Sequence, residues 1–510
     1  IYTVDADIVE AGKPTYFYNG YGATRGEFTI EILPLYPGAL VFDGVDDYGV
    51  CENFPILTKE KGYTVVALRQ WITRGEIAQG LVSNVKNWIK DGAFLLEYRN
   101  IQADHLNKPI SFGAIGSEMD LPHILTYQTS KSYNGVSITT GNFEGTDVLH
   151  VGKLAPTNVG TCINAAIWEL VFLDHDATEE ELTKIKDYFV KTYPWLFPDQ
   201  AWTVTGKTNE DEDRATIANI TGNGNDLILS NFGFAEGSGY GLYAENYSNS
   251  RWFINNSITA TKKSDTFNVT SINQVAVQIQ YIAELSQSPY TVPSYTIKVT
   301  GLTDGQTVNY RVSGGISYPI TQDGIYILPG FDFAGMGSWY GFQFNKVQET
   351  CDITIEQIPE YEGYLVTDGV DDKIVSSVFG MGKDFTIVGD WKFIDNKKSG
   401  TGLVKASSFY IYNTMIGLDL YINSGSVKNS LDGIKSINAA CSDGRAYDRN
   451  WNEILANTGN VVGSVGTLEV SSSGGRFDRI AFKNLAIYPR ILSKEDCIKA
   501  YNYLQTLKSK

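Results

Sequence analysis

One passage in this chain is written twice. Thr29-Ile30-Glu31-Ile32-Leu33-Pro34-Leu35-Tyr36-Pro37-Gly38-Ala39-Leu40-Val41-Phe42-Asp43-Gly44-Val45-Asp46-Asp47 returns without a gap as Thr354-Ile355-Glu356-Gln357-Ile358-Pro359-Glu360-Tyr361-Glu362-Gly363-Tyr364-Leu365-Val366-Thr367-Asp368-Gly369-Val370-Asp371-Asp372. The shift, 368 − 43, is 325 residues. A match of this kind joins the end of one unit to the start of the next, so the chain reads as a tandem array of a large repeat rather than one enzyme body. Ile1-Tyr2 lies within one residue of register with Ile325-Tyr326, inside a strand-like run. Residues 1–37 are therefore expected to be the last strands of a truncated upstream β-domain.

The 510 residues suffice for about three or four domains with cores of their own. Glycine at 50, Tyr at 31 and Phe at 24 against only 15 Pro is the aromatic-rich, turn-rich usage of all-β proteins. No apolar run reaches the roughly 20 residues that a helix needs to cross a bilayer, so no membrane insertion is expected. A formal charge of −17 argues against nucleic acid as a partner, since a phosphate backbone requires a basic stripe. The five cysteines, Cys51, Cys162, Cys351, Cys441 and Cys497, contain no C-x-x-C. Cys51 and Cys162 are spaced to meet across a sheet, but their counterparts in the second copy are not cysteines. Buried free thiols are the expectation.

After each Asp-Gly-Val-Asp-Asp comes a strand-like run ending in tryptophan, Tyr63 to Trp71 in one copy and Phe385 to Trp391 in the other. The two tryptophans are expected in the core at matching positions. Each copy closes with one helix: Thr178 with Glu181, and Ser493 with Asp496, set an N-cap hydroxyl three residues before a carboxylate. Leu182, Ile185, Tyr188 and Phe189, then Ile498, Tyr501 and Leu504, follow at helical spacing and are expected to face a sheet.

Together, the Leu-Val-x-Asp-Gly-Val-Asp-Asp opening, the Thr-Ile/Val strand ending in Trp, the late strand Leu149-His150-Val151-Gly152 and the closing strand-to-helix step Ile487-Tyr488-Pro489-Arg490-Ile491-Leu492-Ser493-Lys494-Glu495-Asp496 resemble laminin-G-like, concanavalin A-like domains. The resemblance covers about residues 38–198 and 360–510. It implies an all-β fold: two jelly-roll sandwiches, each closed by one C-terminal helix, flanking a distinct antiparallel β-sandwich at 199–359 of the same type as the truncated N-terminal piece. In that sandwich Tyr295 to Val312 reads as two strands joined by a short loop, similar to a fibronectin type III strand pair.

Some jelly-roll glycosidases use paired carboxylates on one strand, in a pattern that resembles Glu-x-Asp followed by a second Glu, which sets alternate side chains on one sheet face. The nearest match, Glu118-Met119-Asp120, is followed by Leu121, Pro122 and His123, so no catalytic residue is expected. The four histidines, His105, His123, His150 and His175, form no catalytic or metal-binding motif. Asp43, Asp46 and Asp47, with Asp368, Asp371 and Asp372, offer clustered hard oxygens to calcium, or else form a tight turn whose acids take backbone amides. The turn is the expected role, with calcium the one cofactor to test. Carbohydrate stacking would fall to Trp88 and Tyr98, or to Tyr410, Tyr412 and Trp451, with Trp252 and Trp339 between.

The style of the sequence is similar to structural proteins of Bacteroidetes phages and to bacterial surface adhesins. The resemblance implies a non-enzymatic fibre or decoration component on a virion surface, contacting cell-surface glycans and other virion or surface proteins, itself included as a homo-oligomer. Alternatives are a bacterial surface or secreted adhesin, and accessory modules of a carbohydrate-active enzyme whose catalytic domain lies upstream.

Overall fold

The computed structural model describes residues 34–57, 61–73, 79–87, 91–98, 111–112, 123–128, 146–153, 162–234, 237–282, 290–303, 305–312, 316–333, 339–395, 401–406, 409–413, 417–422, 430–432, 437–455, 464–470, 472–473, 476–477 and 479–509. The expectation for residues 1–37 falls almost wholly outside them. The first unit contains β1 (Leu40–Asp43), β2 (Gly49–Glu52), β3 (Thr64–Trp71), β4 (Gln79–Asn87), β5 (Asp91–Tyr98), β6 (His123–Gln128), β7 (Val148–Val151), β8 (Asn164–Leu173) and helix α1 (Glu179–Thr192). One sheet has the order β1-β8-β3-β6, the other β2-β7-β4-β5 with Ser111–Phe112 at its edge.

The second unit begins with four strands that precede residue 241: β9 (Gln200–Thr203), β10 (Thr216–Ile217), β11 (Leu227–Ser230) and β12 (Gly239–Tyr240). It resumes with β13 (Leu365–Val366), β14 (Lys373–Ser376), β15 (Thr386–Asp395), β16 (Thr401–Ala406), β17 (Phe409–Asn413), β18 (Ile437–Cys441), β19 (Glu469–Val470), β20 (Arg479–Tyr488) and helix α2 (Lys494–Leu504). Its sheets run β13-β20-β15-β18 and β14-β19-β16-β17. These eight strands repeat the strand orders of the first unit; beyond them the second unit's sheets continue with Arg445–Asp448 and Glu453–Leu455, and with Gly417–Ile422 and Ser430–Asp432, where the first unit shows, among the described residues, Ser111–Phe112. The copies share even a bulge, between Leu68 and Arg69 against β8 and between Asp390 and Trp391 against β20.

That common register corrects one sequence expectation. Trp391 faces Phe482 and Trp71 faces Ala165, so the counterpart of Trp391 is Arg69, opposite Ile167. The two tryptophans lie two residues apart in register, and both are buried.

A second correction concerns the boundary at 199. Residues 200–240 do not belong with the strands that follow them: β9 pairs with β20, β11 with β14, and β12 with β13. They extend both sheets of the second unit, and Trp202, Leu227, Leu229 and Tyr240 enter its core. The middle sandwich is thus an insertion between β12 and β13. Its strands lie within 252–358, in one sheet of Trp252–Ile254, Val277–Ile282, Trp339–Phe344, Val308–Val312 and Ile316–Ile320 and another of Ile258–Lys262, Thr266–Ile272, Ile353–Ile358, Tyr295–Thr300 and Gly324–Leu328. The loop after Thr300 therefore crosses between sheets. Alternating apolar residues such as Phe267, Val269, Ile353 and Ile355 fill the space between them, as the period of two requires.

Both closing helices carry the caps their sequences promise. Thr178 Oγ1 accepts from the Glu181 amide (3.2 Å), and Glu181 Oε2 accepts from the Thr178 amide (2.8 Å). Ser493 Oγ accepts from the Asp496 amide at 3.1 Å. A buried threonine on the strand beneath fixes the turn into each helix. Thr64 Oγ1 donates to His175 O (2.9 Å) and accepts from Ala177 N (2.8 Å), and Thr386 Oγ1 does the same with Arg490 O and Leu492 N, both at 2.9 Å. Tyr188 departs from its expected place: half exposed, it hands its hydroxyl to Glu169 Oε1 at 3.1 Å instead of facing the sheet.

The two units share an apolar core. Phe189, Trp195 and Leu196 pack with Tyr488, Cys497, Tyr503 and Leu504. Tyr488 Oη donates to Trp195 O at 2.8 Å, and Lys499 Nζ stands 4.5 Å from the Trp195 ring. All five cysteines are free thiols, Cys51 exposed and Cys162, Cys441 and Cys497 buried.

Candidate functional site

The repeated Asp-Gly-Val-Asp-Asp folds into the same turn twice. Asp43 Oδ1 accepts from Val45 N (2.7 Å) and Asp47 Oδ2 from Asp43 N (3.2 Å). In the second copy Asp368 Oδ1 accepts from Val370 N and Asp372 Oδ2 from Asp368 N, both at 2.7 Å. Gly44 and Gly369 have φ of +83° and +74°, the left-handed region in which a Cβ is strained. Each acid triad brings its oxygens within 4.8 Å of one another. Calcium takes six to eight oxygens; here the first and last acids of each triad already give an oxygen to a backbone amide, which fits the turn better than a cation cage. The copies differ in surroundings. Asp47 is exposed, whereas Asp372 is buried beneath the 200–240 segment, and that burial pushes its carboxyl up to about 7.

Glu118, Asp120 and His105 lie outside the described residues. His123 opens β6 opposite Arg69. His150 is buried in β7, where desolvation and then Lys153 lower its pKa. His175 is exposed and bonded to Asp174 (3.2 Å) and Glu181 (3.0 Å), which raise its pKa. The three described histidines thus occupy separate environments.

The aromatic candidates scatter too. Trp88 lies outside the described residues. Tyr98 ends β5 opposite Gln79, and Tyr410 and Tyr412 occupy alternate positions of β17, opposite Tyr421 and Asp419. Trp451 is a correction: it is 3% exposed, at a turn with φ +61°, and packs edge-on to Tyr501 of α2 with ring centroids 5.7 Å apart. A ring so covered by its own helix offers no face to a sugar. Trp252 is likewise core, 2% exposed and edge-on to Tyr247 and Phe267, while Trp339 is partly exposed under the Arg311 guanidinium.

Sequence reasoning missed a cleft where the inserted sandwich meets the second unit. Its volume is about 540 Å³, and Tyr243, Asp265, Glu356, Lys298, Lys207 and Tyr364 are among its walls. Lys207 is drawn to Asp213 at 2.6 Å. Tyr364 donates to Asp390 Oδ2 at 2.9 Å, with Lys392 Nζ 4.3 Å from its ring. Tyr243 also lines a neighbouring cavity of about 730 Å³ with Ser294, Glu360 and Arg479. An amphipathic ring flanked by acceptors and cations can stack on a sugar and hydrogen-bond its hydroxyls. Its sole sequence signal was the turn-dense Gly241-Leu242-Tyr243, because the walls come from segments distant in the chain.

No family model matches the chain. No curated protein matches its sequence either. Among solved structures, Trypanosoma rangeli sialidase in complex with sialic acid is similar at 7% identity, over 58% of this chain and 68% of that one, with a TM-score of 0.22. A likeness of that degree carries no argument about fold or activity here.

Proposed function

We propose that this chain is a non-enzymatic structural and adhesion protein, built from two concanavalin A-like jelly-roll modules, that contacts cell-surface carbohydrate as a fibre or decoration component of a virion surface. The observation that carries the reading is the duplicated module itself: one strand order built twice and joined through a shared core. An array of that kind repeats a surface at fixed spacing, and repeated weak sites gain strength through effective concentration. Among the described residues, the cleft around Tyr243, at the junction with the inserted sandwich, has chemistry that suits a glycan, and clustering several chains would multiply it. The repeated acids serve as turns in this reading, with no cofactor required.

The test is glycan-array and capsular-polysaccharide binding by the chain, alone and clustered on a multivalent carrier, with sugar release assayed in parallel. Weak binding that strengthens on clustering and falls in Tyr243→Ala is the expected result. Polysaccharide cleavage that disappears in Glu118→Gln or Asp120→Asn would overturn it in favour of an enzyme.

A further inference from the structure

The closing helix of the second unit sets one thiol against another. Cys497 lies on the buried face of α2, one turn past the Ser493 cap, and Cys441 ends β18 at its pairing with Thr386 of β15. Both side chains are 0% exposed and belong to one apolar core. Their sulfhydryls are hydrogen-bonded to each other. Two further groups close in on Cys441: Thr386 Oγ1 stands 3.6 Å from its Sγ, and Leu492 O, in the turn before α2, 3.9 Å from it. The first unit has no such pair. Thr64 matches Thr386 and faces Gln128, which therefore holds the place of Cys441; Thr178 matches Ser493, which puts Leu182 at the place of Cys497.

We propose that Cys441 and Cys497 are a redox pair that closes to a disulfide, with a low-molecular-weight disulfide such as oxidised glutathione as the oxidant, and so staples α2 to the sheet of the second unit. A disulfide needs sulfurs about 2 Å apart, and thiols already in hydrogen-bond contact come to that distance by side-chain rotation. Neither thiol is open to solvent, so the reaction starts from the transient state in which α2 lifts from its sheet. One cysteine thiolate attacks a sulfur of the oxidant, a mixed disulfide forms and one small thiolate leaves. As α2 settles back, the other cysteine loses its proton and attacks the sulfur of the first, and the second small thiolate leaves. The two cysteines give up two electrons, the oxidant is reduced to two thiols, and those thiols carry the two protons. The closed form holds α2 on its sheet, whereas α1 keeps Leu182 and opens as before. Oxidation therefore acts on one copy of the module alone. The inference is independent of glycan binding.

The experiment places the full chain, as Cys51→Ser to remove the exposed thiol, in oxidised glutathione under native conditions, and reads cross-linked peptides by mass spectrometry together with hydrogen exchange. One cross-link is expected, joining Cys441 to Cys497. Exchange across 494–504 should slow at least about tenfold while that across 179–192 changes less than about threefold, and dithiothreitol should reverse both the bond and the protection. In Cys497→Ala the same treatment should stop at a glutathione adduct on Cys441, with 494–504 exchanging no more slowly than in the reduced chain. Thiols at 441 and 497 that stay reduced after the amides of α2 have fully exchanged overturn the proposal. So does a cross-link from either of them to Cys162 or Cys351, or a Cys441–Cys497 bond that leaves 494–504 exchanging as in the reduced chain.

Discussion

Replacing Thr386 by Val keeps the shape of a fully buried side chain and removes a single hydroxyl. That hydroxyl accepts from Leu492 N and donates to Arg490 O, each at 2.9 Å, and so ties β15 to the residues just before α2. Leu492 is 1% exposed, so its amide is left without a partner and out of reach of water, at about 1–3 kcal/mol. Arg490 is only half-buried, and its carbonyl can recover water, adding little. The loss should total about 2–3 kcal/mol and fall on the helix, which is docked through this turn. Hydrogen exchange is the assay: amides within 494–504 should exchange roughly 30- to 150-fold faster, since 1.4 kcal/mol is a factor of ten. Thr64→Val should do the same to 179–192, through the lost bonds to His175 O and Ala177 N. Helix exchange within about threefold of the parent, or acceleration spread evenly over both sheets, would refute the claim that this hydroxyl fixes the strand-to-helix turn.

Asp372 gives a pH test. Burial raises its folded pKa to about 7, so the folded state holds a proton that the unfolded chain gives up from the ordinary carboxylate range upward. The stability contributed is complete at acid pH and is lost as pH rises through about 7; Asp372→Asn, which keeps an acceptor for the Asp368 amide, should flatten that slope in urea titrations between these limits. An unchanged slope in the variant counts against it. Calcium should leave the melting temperature where it was, because the Asp43 and Asp368 turns spend their oxygens on amides; a saturable rise with calcium that chelation reverses would make these turns metal sites instead.

The duplicated passage made the shared topology legible, since two copies of a strand opening at a fixed shift imply two copies of the sheets they open. Helix caps were legible as well, because Thr178 with Glu181 and Ser493 with Asp496 act over three residues. Pairing over long distance was not. Gln200–Thr203 lies opposite Ile487–Asn484, and nothing local in Gln-Ala-Trp-Thr names its partner, so the segment was grouped with its neighbours in sequence. Trp451 misled for a related reason: an aromatic in a polar turn reads as exposed until α2, more than forty residues later, folds over it. Tyr243 escaped notice because the walls of its cleft come from stretches far apart in the chain, from Gly206 to Tyr364.

The insertion also decides how tension would travel through the molecule. The inserted sandwich leaves from β12 and returns at β13, and these two strands are hydrogen-bonded to each other, Gly239 to Val366 and Tyr240 to Leu365. A pull applied at the two ends of the chain passes from the first unit into β9, across the ladder to β20, and out through α2. The sandwich hangs beside that load path as a closed loop. It would feel no force until the β9–β20 ladder and the clasp at its own base had given way, so stretching a single molecule should open the second unit before it releases the sandwich.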